Sequence, residues 1–173
     1  AGLALSACSN ATDSSAPTVM ADSTYTVEVT THTYAQGQVH EDWRGEVGGT
    51  IDLVLDLYEP VDAPPGRPVA FVIHGGGFRG GTHTNRDSVR FARYFAERGF
   101  VAVSVDYRVV GHHGTIPASW YDYVDSQGLD DDNRDQAMAM YPAAHDAKAA
   151  LRWLHAHADT YAINTDFITT IGG

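Results

Sequence analysis

The sequence has few cysteines and few basic residues, and both shortages exclude classes of function. Cys8 is the only cysteine among the 173 residues, so no disulfide can form within the chain. Lysine and arginine number 11 against 22 acidic residues, and the net charge of -11 repels phosphate backbones and anionic lipid surfaces. No apolar run reaches the roughly 18 residues of a membrane-spanning helix. We therefore expect neither a nucleic-acid partner nor a spanning segment.

The single cysteine lies in a short motif that has a chemical consequence. Leu5-Ser6-Ala7-Cys8 follows a small apolar run and is similar to a bacterial lipobox, in which the thiol is acylated and the cysteine becomes the new amino terminus. Residues 9–23 are rich in Ser, Ala, Thr and Asp, a composition typical of a flexible tether. We predict that residues 1–23 are a signal remnant and tether. The protein would then be extracytoplasmic, lipid-anchored at Cys8 or otherwise secreted; a leader with a chance cysteine is the alternative.

The remaining residues, 24–173, predict one α/β domain. Apolar and polar residues alternate over residues 25–31 and 51–57, which predicts two half-buried strands joined by the turn-forming residues 45–49. Two later runs, residues 69–73 and 100–105, are apolar except for Ser104, as in strands that are covered on both faces of a sheet. Residues 167–171 are predicted to form the last strand. We expect a mostly parallel sheet with an antiparallel pair of strands at its amino-terminal side.

Two helices are predicted between the later strands. Thr84-Asn85-Arg86-Asp87 resembles a capping box, the apolar residues that follow share one face, and Arg98-Gly99 closes the helix. A second, longer helix ends near His157, and Pro142 leaves its start open. Residues 109–133, with several glycines and an acidic run, predict a loop.

Three successive glycines follow the apolar strand at residues 69–73. In His74-Gly75-Gly76-Gly77-Phe78 the backbone has no side chains that would block a close approach, and it can adopt positive φ. Acyl transfer develops a negative charge on a carbonyl oxygen, and preorganised N–H donors stabilise it, one donor contributing ~3 kcal/mol. The motif therefore predicts an oxyanion hole.

These residues resemble the α/β-hydrolases of the carboxylesterase and hormone-sensitive-lipase-like type, including secreted esterases acting on acylated sugars. The resemblance runs from about residue 51 to 173 and rests on three motifs: residues 74–78, residues 105–108 and the helix at residues 141–154. It implies a partial α/β-hydrolase fold and serine carboxylic ester hydrolysis without a cofactor. It also implies that Gly76 and Gly77 supply oxyanion N–H groups, that His74 and Gly75 support the loop, and that the substrate is a small-molecule or acylated-sugar ester.

The nucleophile of such an esterase sits in a Gly-x-Ser-x-Gly elbow, followed along the chain by an acid and then a histidine. Residues 169–173 match the strand and the opening of that elbow, with Gly172 and Gly173 at its start. The serine is thus expected just after Gly173, and we interpret the chain as an amino-terminal fragment without a catalytic Ser, acid or His. Such a fragment is expected to be inactive.

Alternatives to the esterase interpretation stay open. Gly75, Gly77 and Gly80 also fit Gly-x-Gly-x-x-Gly after a strand, and Asp106 ends the next strand, as in dinucleotide-binding domains. The glycines could equally form a plain structural turn. From a different functional class, the chain could be a non-catalytic lipoprotein module.

Several polar and aromatic residues have structural explanations that we favour over functional ones. We expect His74 to hold the loop by hydrogen bonds to nearby backbone. Asp106 and Arg108 are expected to join one structural ion-pair network, and Asp146 to accept structural hydrogen bonds. Two functional candidates remain. A metal site, which we do not predict, would involve His83, His112 and His113 with residues 130–132. A substrate cleft would be lined by Trp120, Tyr121 and Tyr123.

Overall fold

The computed structural model describes residues 16–172, so Cys8 and Gly173 lie outside it. Strands and helices alternate along most of this range. The order is β1 (Val27–His40), β2 (Val47–Pro60), β3 (Arg67–Ile73), α1 (Arg86–Ala96), β4 (Val101–Val105), α2 (Ala118–Asp125), α3 (Asp131–Ala156) and β5 (Ile163–Gly172), with a 3₁₀ turn at Val110–His112. No helix within residues 16–172 combines the length and the apolar character needed to cross a membrane.

The five strands form one mixed sheet in the order β1-β2-β4-β3-β5. Strands β1 and β2 pair antiparallel, and β2 also pairs antiparallel with β4. Strand β3 is parallel to β4 on one side and to β5 on the other. This confirms the predicted fold class. The carboxyl ends of β3, β4 and β5 therefore meet at one edge of the sheet, which is where open α/β sheets bind their ligands.

Both faces of the sheet are covered at its central strands, which explains why β3 and β4 are mostly apolar. On one face, Leu55, Phe71 and Val103 pack with Ala150 and Leu154 of α3. On the other face, side chains from β2, β3 and β4 pack against the small residues of α1. These are Tyr58, Ala70, Val72, Ala92, Ala96 and Ala102. Each large side chain removed from water contributes about 1.5–3 kcal/mol, so these two layers supply the main driving force for folding.

The β1–β2 hairpin is longer than the alternation predicts. Only part of β2 is paired with β4, and β1 and β2 stay paired with each other beyond that part. Leu55 of β2 pairs with Val105, the last residue of β4. Residues 47–54 of β2 therefore extend past the carboxyl end of β4 and carry the hairpin turn above the edge of the sheet. The predicted turn at residues 45–49 is partly wrong, since Val47 already begins β2.

Helix α1 spans Arg86–Ala96. As predicted, a glycine with positive φ, Gly99 (φ 100°), follows its end. The predicted capping box is wrong: the N-cap residue is Asn85, and its side chain makes no capping hydrogen bond. The hydroxyl of Thr84 is paired with that of Thr82 at 2.8 Å instead, so it is not available to cap the helix.

Helix α3 begins eleven residues before Pro142, the residue that obscured its start in the sequence. The side chain of Asp130 caps it by accepting a hydrogen bond from the N–H of Asn133 (2.9 Å), and two acidic residues in the first turn complement the helix dipole. Pro142 lies inside the helix, where its ring packs against Gly114. A Cβ on Gly114 would lie 2.6 Å from that of Pro142. The helix thus accommodates the proline, and the loop crosses it closely.

The predicted loop at residues 109–133 contains helix α2, which the sequence analysis missed.

Residues 20–25 hydrogen-bond to the residues that follow α1: Met20 N–H donates to Arg98 O, and Thr24 N–H donates to Glu97 O. These bonds attach the last residues of the predicted tether to the domain.

Candidate active site

The glycine loop leaves β3 at the edge where the parallel strands end. Gly76 has φ of 123° and Gly77 has φ of 58°, both in the region that favours glycine. A Cβ on Gly76 would overlap the carbonyl oxygen of Gly80. Gly76 is therefore required by conformation and by space, whereas Gly80 has nothing within 4 Å of a Cβ position.

The amides of Gly76 and Gly77 are available to a ligand. Both residues are exposed, and within residues 16–172 no internal hydrogen bond uses either N–H. The loop is held through its carbonyls instead, because Gly76 O accepts from Arg79 N–H (3.0 Å) and Phe78 O accepts from Val110 N–H (2.8 Å). A loop that is fixed by its acceptors and keeps its donors free matches what an oxyanion hole needs.

A cavity of about 540 Å³ lies beside the loop. Gly75 and Gly76 line it from the loop after β3, and Ile171 and Gly172 line it from the end of β5. The register places Gly172 opposite Ile73, so the end of β5 lies next to the start of the glycine loop. Gly173 itself lies outside the described residues.

His74 is buried and packs against the glycine loop. Its Nδ1 donates to Gly75 O (2.8 Å), and its ring stacks on Tyr107 at 4.1 Å with an interplanar angle of 11°. The hydroxyl of Tyr107 donates to His74 O (2.9 Å), and burial together with the nearby Asp106 raises the pKa of Tyr107. Gly81, with φ of 113°, leaves no room for a Cβ because the His74 ring lies against it. His74 thus occupies a supporting position.

Changing Tyr107 to phenylalanine tests this support. The ring stack on His74 remains, while the carbonyl oxygen of His74 loses a buried donor, so we expect a loss of about 1 kcal/mol in the free energy of unfolding. Urea denaturation of the 173-residue chain measures it. Tyr123→Phe, at a 57% exposed side chain, serves as control and should be neutral. Equal effects of the two changes would contradict the role given to the Tyr107 hydroxyl.

Asp106, at the end of β4, is engaged by the segment that leads into α1. Its Oδ1 accepts from His83 N–H (2.5 Å), and its Oδ2 lies 2.8 Å from His83 Nδ1, close but not aligned as a hydrogen bond. Ser104 on β4 donates to His83 O (2.6 Å). The carboxylate of Asp106 therefore anchors this segment to the sheet.

Arg108 forms a different pair from the one expected. Its backbone N–H and Nε donate to Asp146 Oδ2, both at 2.9 Å, and its Nη2 donates to Asp146 Oδ1 at 2.7 Å. Nη1 donates to Gln38 O (2.9 Å). Asp146 is thus the structural acceptor, as expected, but Asp106 and Arg108 do not share one network: Asp106 contacts His83, and Arg108 contacts Asp146 on α3. The pair ties the segment after β4 to α3 and β1.

The first turns of α3 lie alongside the glycine loop. Arg79 donates to Asp132 O (3.1 Å) and contacts its carboxylate (3.0 Å). One turn further, Gln136 Nε2 lies 3.1 Å from the Cβ position of Gly77. Trp43, from the hairpin turn, fixes the same stretch by donating to Asp135 Oδ1 (2.8 Å). The sequence analysis missed Gln136 and Trp43. The spacing of Asp132 and Gln136 on one helical face was the only signal for Gln136.

The other candidates have structural contacts of their own. His112 Nδ1 accepts from Val109 N–H (3.1 Å), and burial followed by the charge of Arg108 lowers the pKa of His112. His113 packs edge-on against Trp43. Within residues 16–172, no three His, Cys, Asp or Glu side chains form a group suited to a metal ion. Among the candidate cleft aromatics, Trp120 donates to Ala137 O (3.2 Å) and Tyr123 is largely exposed.

Comparison with known proteins agrees with this geometry. The family model described as BD-FAE matches residues 55–126. Thermogutta terrifontis esterase 2, in a structure described as phosphoramylated by tabun, is 26% identical with a TM-score of 0.55. The alignment covers 84% of this chain and 42% of that chain. The chain has an α/β-hydrolase fold of the esterase type. This α/β-hydrolase chain therefore spans less than half of that solved neighbour.

Two further matches are more limited. The structure described as a bacterial heroin esterase shares the α/β-hydrolase fold at 23% identity and a TM-score of 0.50, and the alignment covers 84% of this chain and 35% of that one. The non-reducing polyketide synthase Preu3 of Preussia isomera is 39% identical over 71 residues, which are 39% of this chain and 3% of the synthase. The second match thus concerns a small part of a very long protein.

Proposed function

We propose that this chain carries the oxyanion-binding part of a serine carboxylesterase that acts on small-molecule esters, including acylated sugars. The observation that carries the proposal is the pair of exposed, internally unbonded N–H groups of Gly76 and Gly77 at the carboxyl end of β3. Gly172 lies at the neighbouring strand end, opposite Ile73. A nucleophile that follows Gly173 would emerge beside the same amides.

The proposed reaction proceeds by acyl transfer. A serine in a Gly-x-Ser-x-Gly elbow, its hydroxyl proton taken by a histidine, attacks the ester carbonyl, and the oxyanion is held by Gly76 and Gly77. The intermediate collapses, expels the alcohol, which receives the proton, and leaves an acyl-enzyme that water hydrolyses. Residues 1–173 contain no such elbow, so the nucleophile, acid and base of the proposal all follow Gly173. The 173-residue chain then binds the oxyanion without turning over an ester.

The geometry disfavours the dinucleotide alternative. In that motif the glycines open directly into a helix, whose N-terminus binds the pyrophosphate, and an acidic residue binds the ribose. Here α1 begins at Arg86, five residues after Gly81, and the carboxylate of Asp106 is already engaged by His83. Gly80 also has open space where the third glycine of the motif would need close packing.

The proposal implies a longer protein that continues past Gly173, which we call the full-length protein. Ester hydrolysis by this full-length protein tests the proposal. We expect it to hydrolyse p-nitrophenyl acetate and to lose that activity after treatment with a serine-directed phosphonate, whereas the 173-residue chain should show no turnover in the same assay. Titration of either protein with NAD should leave the tryptophan fluorescence unchanged. Absence of phosphonate-sensitive turnover in the full-length protein would favour the non-catalytic module, and saturable NAD binding would favour the dinucleotide alternative.

A separate proposal concerns localisation. We propose that Cys8 is acylated and holds an exported protein at a bacterial membrane, on the strength of the lipobox-like residues 5–8. Labelling of expressing cells with a radioactive fatty acid should mark the protein, and Cys8→Ser should abolish the label. An unlabelled wild-type protein would contradict the anchor.

A further inference from the structure

Gln136 has a free carboxamide next to the glycine loop. Its Nε2 lies 3.1 Å from the Cβ position of Gly77, and within residues 16–172 no hydrogen bond involves its side chain. Since Cβ and the amide nitrogen are bonded to the same Cα, the Gln136 Nε2 lies close to the backbone of Gly77.

The helical turn that carries Gln136 is fixed on several sides. Arg134 donates to Asp125 (3.0 Å) and to the hydroxyl of Tyr121 (2.5 Å). Asp135 accepts from Trp43, and the carbonyl of Ala137 accepts from Trp120 (3.2 Å). Thus the neighbours of Gln136 on both sides are anchored by hydrogen bonds, while its own side chain is not. A donor on a rigid support loses little entropy when it binds an oxygen.

A hydrogen bond and an ion pair also connect the loop to the helix. Arg79, three residues after Gly76, binds Asp132 by its carbonyl (3.1 Å) and its carboxylate (3.0 Å). Asp132 and Gln136 are four residues apart and therefore lie on the same face of α3. These contacts place the face of α3 that carries Gln136 beside the loop of Gly76 and Gly77.

We infer that Gln136 is a third, side-chain donor of the proposed oxyanion site, which donates from Nε2 to the tetrahedral group that Gly76 and Gly77 bind. The inference rests on the proposed function. A glutamine amide is a neutral donor of a kind that serves in oxyanion holes, so it adds a hydrogen bond to the oxygen that carries the developing negative charge.

Titration of the 15N-labelled 173-residue chain with methylphosphonate tests this inference without requiring catalysis. We expect shifts in the backbone amide signals of Gly76 and Gly77 and in the side-chain NH₂ signals of Gln136. Gln136→Leu should weaken methylphosphonate binding by about tenfold, the effect of one hydrogen bond to a charged group. Gln136→Glu, of the same shape but without the donor, should weaken it at least as much.

Gln127→Leu is the matched control, because the Gln127 amide donates to Tyr123 O and to Ser126 within its own turn. It should leave the affinity unchanged. Shifts at Gly76 and Gly77 with unaltered affinity in Gln136→Leu would overturn the role of Gln136 and leave the oxyanion loop intact. An absence of shifts at both glycines would overturn the proposed function itself, and with it the inference. Thermal melting of each variant verifies that it is folded.

Discussion

Gly76→Ala is expected to reduce kcat/KM of the full-length protein for p-nitrophenyl acetate by about 100-fold or more, the effect of losing one oxyanion donor. An added Cβ meets the carbonyl oxygen of Gly80, and φ of 123° is unfavourable for alanine, so the loop has to move and its amides with it. The loss should appear mainly in kcat, because the amides bind the oxyanion more strongly than the ground-state carbonyl. Steady-state kinetics separates the two parameters.

Gly80→Ala is the matched control in the same loop. A Cβ at Gly80 meets nothing within 4 Å, so this variant should keep its activity within about threefold of wild type. The dinucleotide alternative makes the opposite prediction, since it needs Gly80 for close packing. Equal activities of Gly76→Ala and wild type would contradict the oxyanion role of the loop.

Asp146→Ala is expected to lower the free energy of unfolding by about 3–5 kcal/mol. Arg108 and Asp146 are both buried, and the change removes the acceptor of three Arg108 hydrogen bonds while the guanidinium stays in the interior with Gln38 O as its remaining partner. Urea denaturation of the 173-residue chain, with the slope of the transition compared between variants, measures the loss.

Asp122→Ala removes one partner of an exposed ion pair and serves as control. Asp122 pairs with Arg44 at 2.7 Å, but both side chains are more than half exposed, so the expected cost is only about 0.2–1 kcal/mol. If Asp146→Ala were no more destabilising than Asp122→Ala, the buried pair would not be what ties the segment after β4 to α3.

The sheet could be predicted because its signals are local. Strands β3 and β4 are continuous apolar runs, and the alternation in β2 places Leu53, Leu55 and Leu57 on one face, where they are buried. Periodicity of this kind needs no knowledge of distant residues. The glycine loop was equally visible, because a positive φ requires a particular residue type at a particular place.

Long-range contacts account for what the sequence could not provide. Helix α2 is short, and Trp120 in it donates to α3 while Arg44 from the hairpin turn binds Asp122. Its stability thus comes from partners that local periodicity does not register. Likewise, the start of α3 was obscured by Pro142, and the residue that packs on its ring, Gly114, lies in a distant part of the sequence.

The candidate site divides in the same way. Gly76 and Gly77 were predicted from the motif, whereas Gln136 became visible only when α3 was placed beside the loop. The partners of Arg108 and Asp106 likewise became visible only in the fold: Arg108 pairs with Asp146 on α3, and Asp106 contacts His83 in the segment before α1.

The most direct measurement is to treat the full-length protein with a serine-directed phosphonate and to locate the adduct by peptide mass spectrometry. The account predicts a single modified serine in a Gly-x-Ser-x-Gly elbow that begins within Gly172-Gly173. A modified serine among residues 1–173, or no adduct in a folded full-length protein, would contradict it.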